Sequence, residues 1–491
     1  MPSSPYRFSC YPPKKVLWKE GTDCCSWDGV TCNMQTGHVI GLDLGCCMLY
    51  GALHSNSTLF SLHHLQKLDL SRNDFNRSVI SSSFGQFLHL THLNLYSSNF
   101  AGQVPPEISH LSRLVSLDLS SNSEELMLEP ISFNKLAHNL TQLRELYLGG
   151  VNMSLVVPSS LMNLSSSLSS LQLWRCGLKG ELPDLLGNLT QLIELGLAGN
   201  NQLGGQIPFS LGKLKQLKYL HLGNNSFIGP IPDSLFKLTQ LEWLDLSYNR
   251  LTGLIPFQIS RLSSLTALLL SNNQLIGRIP SQISRLSGLI ILDISHNLLS
   301  GTIPSSLFSM PSLHFLLLNN NLLYGQISPF LCNSLQYINL SFNKLYGQIP
   351  PSVFKLEHLR LLRLSSNDKL TELKFLEILD LSNNGFSGFI PQCLGNFSGG
   401  LLVLHLGQPI SGAIPSSIIN CVNLEFLDLG NNMIDDTFPS FLETLPKLKV
   451  VILRSNKLHG SLKGPTVKDS FSKLQILDLS NCCYPIFDPC F

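Results

Sequence analysis

"LTQLEWLDLSYNRLTGLIPFQISRL", residues 238–262, runs directly into "SSLTALLLSNNQLIGRIPSQISRL", residues 263–286. Leu, Asn, Gly and Pro return at the same spacing while the letters between them change. Aligned on L-x-L-x-x-N, the Asn falls at Asn200, Asn225, Asn249, Asn273, Asn297 and Asn321, a period of about 24 residues. Upstream the same slot holds Cys47, Asn73, Ser98, Asn122, Val151 and Cys176. Downstream it holds Asn343, Asn367, Asn384, Pro409, Asn432, Asn456 and Cys482. Nineteen slots therefore cover almost the whole chain. A period of this length marks stacked units, each of which buries its apolar face only against its neighbours.

Each constant letter has a physical task. Leu241, Leu244 and Leu246 point inward from a short strand and turn, and each contributes roughly 1.5–3 kcal/mol when fully buried. Asn249 follows where the chain bends away from the strand, and its amide can both donate to and accept from backbone groups of that turn. Stacked Asn249, Asn273 and Asn297 are expected to form a ladder. Cys47, Cys176 and Cys482 in this slot read as small buried thiols replacing the amide, not as redox groups. The second half of each coil reads G-x-I-P, at 253–256, 277–280, 301–304 and 347–350. Gly permits the tight turn and Pro fixes an extended path without a donor. A segment such as "FQISRL" then packs Ile and Leu inward as a short 3-10 or irregular helix. The expected fold is an α/β solenoid: a right-handed leucine-rich-repeat superhelix. Its concave face carries a parallel β-sheet, and its convex face short 3-10 or irregular helices and loops.

Composition sets the outer bounds. The 491 residues hold 33 Lys+Arg against 32 Asp+Glu, a formal charge of +1, so no global field draws the chain to nucleic acid or anionic lipid. Charged residues make up only 13%, which leaves surface polarity to Ser, Asn, Thr and sugar. No run reaches the ~18 to 20 apolar residues needed to cross a bilayer. The start, "MPSSPYRFSCYPPKK", has no apolar core of signal-peptide length. The chain as written thus carries neither a signal peptide nor a transmembrane helix.

No catalysis is expected. The residue between the two strand leucines runs Asp43, Asp69, Asn94, Asp118, and later His221, Asp245, Leu269 and Asp293. Strands ~4.8 Å apart would allow an Asp43–Asp69 carboxylate pair. "LDLS" is nevertheless the ordinary strand phrase of such a repeat, with its Asp solvated or bonded to the next Ser. His residues are scattered without a third ligand, no G-x-S-x-G occurs, and no Gly-rich loop between strand and helix offers a phosphate site. Neither a metal nor a cofactor is implied.

The changing letters carry the recognition. The residue before the second strand leucine is polar at Lys67, His92, Ser116, Glu145, Ser170 and Glu194. It then becomes Tyr219, Trp243, Ala267, Ile291, Phe315, Tyr337 and Leu361. A half-exposed aromatic run interrupted by His221, Asp245 and Arg363 suits a protein or peptide partner. The same rings can instead pack sideways on one another as a structural ladder, and the sequence leaves both readings open. The candidate ligand residues are Tyr219, His221, Trp243, Asp245, Phe315, Tyr337 and Arg363. For Arg363 an internal ion pair with Asp380 of the next coil is preferred over a ligand contact.

Sequons are plentiful, at Asn56, Asn76, Asn139, Asn152, Asn163, Asn188, Asn224 and Asn396, with Asn339 inside a strand. Their density fits secretion. The odd total of 13 cysteines leaves at least one thiol over.

The G-x-I-P repeat resembles the plant-specific leucine-rich-repeat class of receptor kinases, receptor-like proteins and polygalacturonase inhibitors. "WKEGTDCCSWDGVTC", residues 18–32, is similar to the plant N-terminal cap, a Cys pair followed by W-x-G-V-x-C. That resemblance implies a Cys25–Cys32 disulfide and a second bond from Cys24 to Cys10. It divides the chain into a partial cap, residues 1–37, and about nineteen repeats over 38–491, the last incomplete. "PQCLGNFS" and "NLEFLDLGNNMIDDTFPSFLETLPKLKVVILRSNKLHG" closely resemble the Cf-type receptor-like proteins, and the resemblance covers roughly residues 14–481. What the family implies is an ectodomain at the plasma membrane's outer face, active in pathogen perception or development. Its ligand would be a peptide, a protein or a cell-wall-derived molecule, and its signalling partner a membrane receptor-like kinase. The alternatives are a soluble inhibitor of a secreted hydrolase, or a non-functional truncated receptor product.

Three departures from the family pattern stand out. Asn367 and Asn384 are only 17 residues apart, Pro409 cannot supply the ladder amide, and the chain stops inside a coil at "ILDLSNCCYPIFDPCF". Cys482, Cys483 and Cys490 have no place in the repeat pattern. The expectation is a receptor truncated at both ends.

Overall fold

The computed structural model describes residues 18–346, 350, 352, 356, 358–364, 367, 378–380, 388–389, 401–406, 410–460 and 471–482. The chain divides into two compact units, Met1–Leu251 and Thr252–Phe491. Each is a leucine-rich-repeat solenoid.

In the first unit every coil contributes one short strand to the main sheet, where it pairs in parallel with the strand of the next coil. Several coils add a second short strand to smaller parallel sheets, as at Lys179–Glu181, Gln202–Gln206, Ser226–Gly229 and Arg250–Leu251. The ladder runs from Val39–Asp43 through Lys67–Asp69, His92–Asn94, Ser116–Asp118, Glu145–Tyr147, Ser170–Gln172, Glu194–Gly196 and Tyr219–His221 to Trp243–Asp245. In the second unit the same ladder runs from Ala267–Leu269 to Ile476–Asp478, with Phe315–Leu317, Tyr337–Asn339, Leu361–Arg363, Ile378–Asp380 and Val403–His405 among its strands. Because side chains alternate along a strand, the central apolar residue is buried and its neighbours face outward, as at Leu93 between His92 and Asn94, while Leu477 in the last strand is half-buried. Leu220 and Leu244 are fully buried, and Tyr219, His221, Trp243 and Asp245 are half-buried.

The expected ladder is present. Asn249 Nδ2 donates to the carbonyls of Leu222 and Leu246 at 2.9 and 3.1 Å, and its Oδ1 accepts from the Phe227 N–H at 3.0 Å. Asn297 and Asn321 repeat the pattern in the second unit. Cys176 keeps half of that function, since its thiol reaches the Leu148 carbonyl at 3.1 Å. Burial pushes that thiol up to about 12, which keeps it protonated and unreactive.

Opposite the strands, Pro256, Pro280 and Pro304 each cap a 3-10 helix, at Phe257–Arg261, Ser281–Arg285 and Ser305–Ser309. Ile259 and Leu262 are fully buried, as "FQISRL" required. Gly253, Gly277 and Gly301 sit at φ 80°, 79° and 85°, the left-handed region that a side chain disfavours. One element departs from the 3-10 pattern: Pro130–Asn139 is an α-helix. The coil from Asn122 to Val151 is five residues longer than the period of about 24. The extra length permits full helical turns that bury Phe133 and Leu136.

At the N-terminal end, Val30–Cys32 pairs antiparallel with Val39–Asp43, and Trp18 stacks on Trp27 with ring centroids 4.9 Å apart. Cys25 and Cys32 are disulfide-bonded. The Cys24 pairing is corrected: the Cys24 thiol is free, and Cys46 is the further disulfide-bonded cysteine among the described residues. Cys24 and Cys25 lie in one 3-10 turn, Cys24–Ser26, where successive side chains diverge by about 120°. The turn that aims Cys25 at Cys32 therefore aims Cys24 elsewhere. Cys10, Asn384, Asn396, Pro409, Cys483, Cys490 and the 347–349 part of the last G-x-I-P lie outside the described residues. Among the described residues no helix is long and apolar enough to cross a membrane.

Candidate functional site

Strand register decides which of the candidate residues meet. In the first unit Tyr219 stands opposite Trp243, and His221 opposite Asp245. The His221 and Trp243 rings lie 6.1 Å apart, tilted by 41°. Tyr219 donates its hydroxyl to Glu242 Oε2 at 2.8 Å, while Lys218 Nζ holds Oε1 of the same carboxylate at 2.8 Å. Those two bonds, the Lys218 one first, hold the Glu242 carboxyl below its ordinary range. Burial pushes His221 below the ordinary imidazole value, against the pull of Asp245 and Glu194. Its ring is consequently neutral at pH 7, with one donor and one acceptor nitrogen. Nε1 of Trp243 is buried without a hydrogen-bond partner.

In the second unit Phe315 and Tyr337 are in register and stacked face to face, with centroids 4.7 Å apart and planes within 4°. These two rings satisfy each other sideways while their outer edges stay half-exposed. Arg363 is exposed and stands in register with Asp380. The ion pair expected between them is corrected: Asp380 Oδ1 lies 3.4 Å from Nδ1 of His405, whose Nε2 is 3.2 Å from Asp428 Oδ2. His405 occupies the same column between the two carboxylates, so both of its ring nitrogens reach a partner. The long Arg363 side chain extends to solvent instead.

The Asp column of the first unit is less idle than its strand phrase suggests. It lines a groove of about 440 Å³ with Lys67, His92, Asn94 and Tyr147. Within it Asp69 accepts from the Ser71 N–H at 2.8 Å and from Asn94 Nδ2 at 2.8 Å. Asp118 accepts from the Ser120 N–H and hydroxyl at 2.8 and 2.5 Å, and burial pushes its carboxyl upward. The bonds to Ser71 and Ser120 cap strand ends, and the bond from Asn94 ties two neighbouring strands together. Among the described residues of this groove none of these bonds brings a carboxylate, a nucleophile and a base together. Asp23, Cys24 and Cys25 form the one metal-sized cluster among the described residues, and the disulfide removes Cys25 as a thiolate.

Sequon side chains divide by exposure. Asn56, Asn76, Asn139, Asn163, Asn188 and Asn224 are exposed. Asn152 and Asn339 are half-buried, and each accepts from the N–H two residues on, at 3.0 and 3.2 Å.

Repeating strands, an Asn ladder and proline-capped 3-10 turns define a leucine-rich-repeat protein. The Leucine rich repeat family matches residues 215–275 and, through its single-repeat form, 64–87, 89–111, 288–310, 334–356, 375–397 and 423–445. The chain is similar to receptor-like proteins 9DC1 and Cf-9 of Solanum pimpinellifolium, at 46% and 44% identity over 196 residues. Those alignments cover 40% of this chain and 22% of each relative, so the chain spans about a fifth of the curated relatives it matches. Among solved structures it is similar to the plant peptide hormone receptor RGFR1 in complex with RGF2. That match has TM-score 0.78 and 29% identity over 94% of this chain and 84% of that one. It is also similar to the Arabidopsis receptor kinase HAESA, solved with the peptide hormone IDA and the co-receptor SERK1. Here the TM-score is 0.70 and the identity 31%, over 95% of this chain and 86% of that one. The chain belongs to the plant leucine-rich-repeat receptor-like proteins.

Proposed function

We propose that this chain is the ligand-recognition part of a plant cell-surface receptor-like protein, in pathogen perception or development, and that it has no catalytic role of its own. Its ligand is a peptide, a protein or a cell-wall-derived molecule, received on the sheet face. By analogy with the family, the signal passes to a membrane receptor-like kinase, and the likeness to an ectodomain solved with a co-receptor supports such a partner. Residues 1–37 serve as the cap of the first coil and 38–491 as the repeats. The glycans sit on the exposed sequons.

The observation that carries the reading is the first unit's strand pair. Tyr219 and Trp243 are displayed side by side, half-buried, on a rigid parallel sheet, with His221 and Asp245 one step along the same strands. Half-desolvated aromatics beside groups that both donate and accept are what a peptide interface uses. The likeness to receptors solved with peptide hormones supports the same ligand class. In the second unit Phe315, Tyr337 and Arg363 are the corresponding candidates.

The test starts from the immobilised chain panned against a display library of random linear peptides. Enriched peptides are then titrated against the unchanged chain and the Tyr219→Ala/Trp243→Ala variant. The variant is expected to lose at least about tenfold in affinity, the scale of one hot-spot ring, with an unchanged far-UV spectrum. Equal affinity for both proteins would remove these residues from the site.

A further inference from the structure

One column of the first unit's sheet face runs Asp118, Tyr147, Gln172, Gly196, His221 and Asp245 along six consecutive parallel strands. At Gly196 the column has no side chain. The backbone there does not require glycine, since Gly196 is not among the residues with positive φ. What glycine leaves there is space: the side-chain amide of Gln172 lies in the gap, and a Cβ on Gly196 would displace it.

Gln172 is only 9% exposed, and its Nε2 is buried without a hydrogen-bond partner. On the strand beyond His221, Nε1 of Trp243 is in the same condition. A buried donor left unmade costs about 1–3 kcal/mol, and folded chains keep few of them. Here two occur on one face: Gln172 lies in the column of Gly196 and His221, and Trp243 lies on the strand after His221 in the adjoining column, in register with Tyr219. The floor beside them is small, since Ala198 and Gly223 follow just beyond the ends of the two intervening strands. Glu194 opens the strand that carries Gly196, and Asp245 closes the strand after His221. Those carboxylates repel an anion at this spot but tolerate a neutral acceptor.

We propose that the Gly196 gap is an acceptor subsite, which takes a neutral carbonyl oxygen of an extended peptide on the side-chain amide of Gln172. Unliganded, the Gln172 amide closes the gap with its donor unmade. Turning about its side-chain torsions opens the gap and carries Nε2 to the surface, where the peptide carbonyl completes the missing bond. The inference rests on the sheet face being a peptide-recognition surface.

The experiment follows the side-chain amide resonance of Gln172 in the full chain, labelled with ¹⁵N-glutamine and assigned through Gln172→Ala. N-methylacetamide is titrated in as the neutral carbonyl probe, and sodium acetate separately as the anionic one. A saturable downfield shift with N-methylacetamide, and none with acetate, is expected. In Gly196→Ala the resonance is expected to be displaced before any probe is added, because the new Cβ expels the amide. Gln172→Ala is expected to bind panned peptides about fivefold more weakly while leaving the urea midpoint unchanged, since the amide makes no internal bond. A purely structural Gln172 would lower that midpoint. A shift that is linear with both probes, saturation by acetate in preference, or unchanged peptide affinity in Gln172→Ala would overturn the subsite. Those failures are separable from failure of the wider reading, which shows only if Tyr219→Ala/Trp243→Ala also leaves peptide affinity unchanged.

Discussion

Asn225 Oδ1 accepts the backbone N–H of Asn200 at 2.9 Å, so one ladder amide supports the turn that holds the one before it. Asn200 in turn accepts the N–H groups of Cys176 and Leu178 at 2.9 and 3.1 Å. The slot thus joins neighbouring coils by hydrogen bonds at the depth where water cannot reach. Removing one amide strands groups in two coils at once. Asn249→Ala leaves the carbonyls of Leu222 and Leu246 and the N–H of Phe227 without this partner. A loss of about 2–4 kcal/mol is expected, read as a lowered urea midpoint. A change below about 0.5 kcal/mol, the ordinary surface value, would show that the ladder is dispensable.

Cys176 makes the pH dependence of the ladder measurable. Its folded value is raised to about 12 from 9.0 by burial, so between those values the unfolded chain gives up a proton that the folded chain keeps. The contribution is fully present below pH 9.0 and is lost as pH rises toward about 12, at about 1.4 kcal/mol per pH unit. Cys176→Ser keeps a donor for the Leu148 carbonyl, as Ser98 does for Leu70 at 2.8 Å, but does not titrate. At about pH 10.5 the unchanged chain is therefore expected to have lost about 2 kcal/mol relative to the Ser variant. Parallel stability profiles for the two proteins would refute the buried-thiol account. Cys24, free and half-exposed, is expected to react with iodoacetamide in the folded chain while Cys176 does not.

Much of this was legible in the letters because the repeat makes every coil answer to the same constraints. Leu220, Leu244 and Asn249 could be placed by counting, since a strand alternates and a turn must pair its backbone. The α-helix Pro130–Asn139 was marked only by an overlong coil, a signal of extra residues that does not say what they form. The site was half legible. Counting puts Tyr219 beside Trp243 and Gln172 beside Gly196, but which way a side chain leans is settled by its neighbours' volumes. Gln172 falls toward Gly196, Trp174 onto Gly149 and the Asp245 carboxylate over Gly223, each into the space a missing Cβ leaves. Asp380 meets His405 and not Arg363 for a comparable reason, since register offers several partners and reach selects one.

Sequon occupancy is expected to follow the geometry and not the tripeptide. Asn76 and Asn224 present exposed side chains at φ 52° and 55°, whereas the side-chain oxygens of Asn152 and Asn339 are engaged within their own turns. Glycopeptide mass spectrometry of the chain passed through a secretory pathway should find Asn76, Asn188 and Asn224 modified and Asn339 bare. Modification of Asn339 at the level of Asn224 would mean that its strand is accessible before the coils close.

His221 gives the site itself a pH signature. Burial, its largest influence, lowers its folded value below 6.5, while Asp245 and Glu194 act in the opposite direction. As pH falls below 6.5 the unfolded chain takes up a proton that the folded chain refuses, so stability is present above that value and is lost as pH falls toward the folded one. His221→Gln removes the titration, and its urea midpoint is expected to be the less sensitive of the two between about pH 7.5 and pH 5.5. The ring carbon resonance of His221 reads the same quantity directly. A titration midpoint at or above 6.5 would show that the carboxylates outweigh burial. Below such a midpoint the ring, two strands along the column from Gln172, would be a cation, and the column would favour an anion over the neutral carbonyl inferred for it.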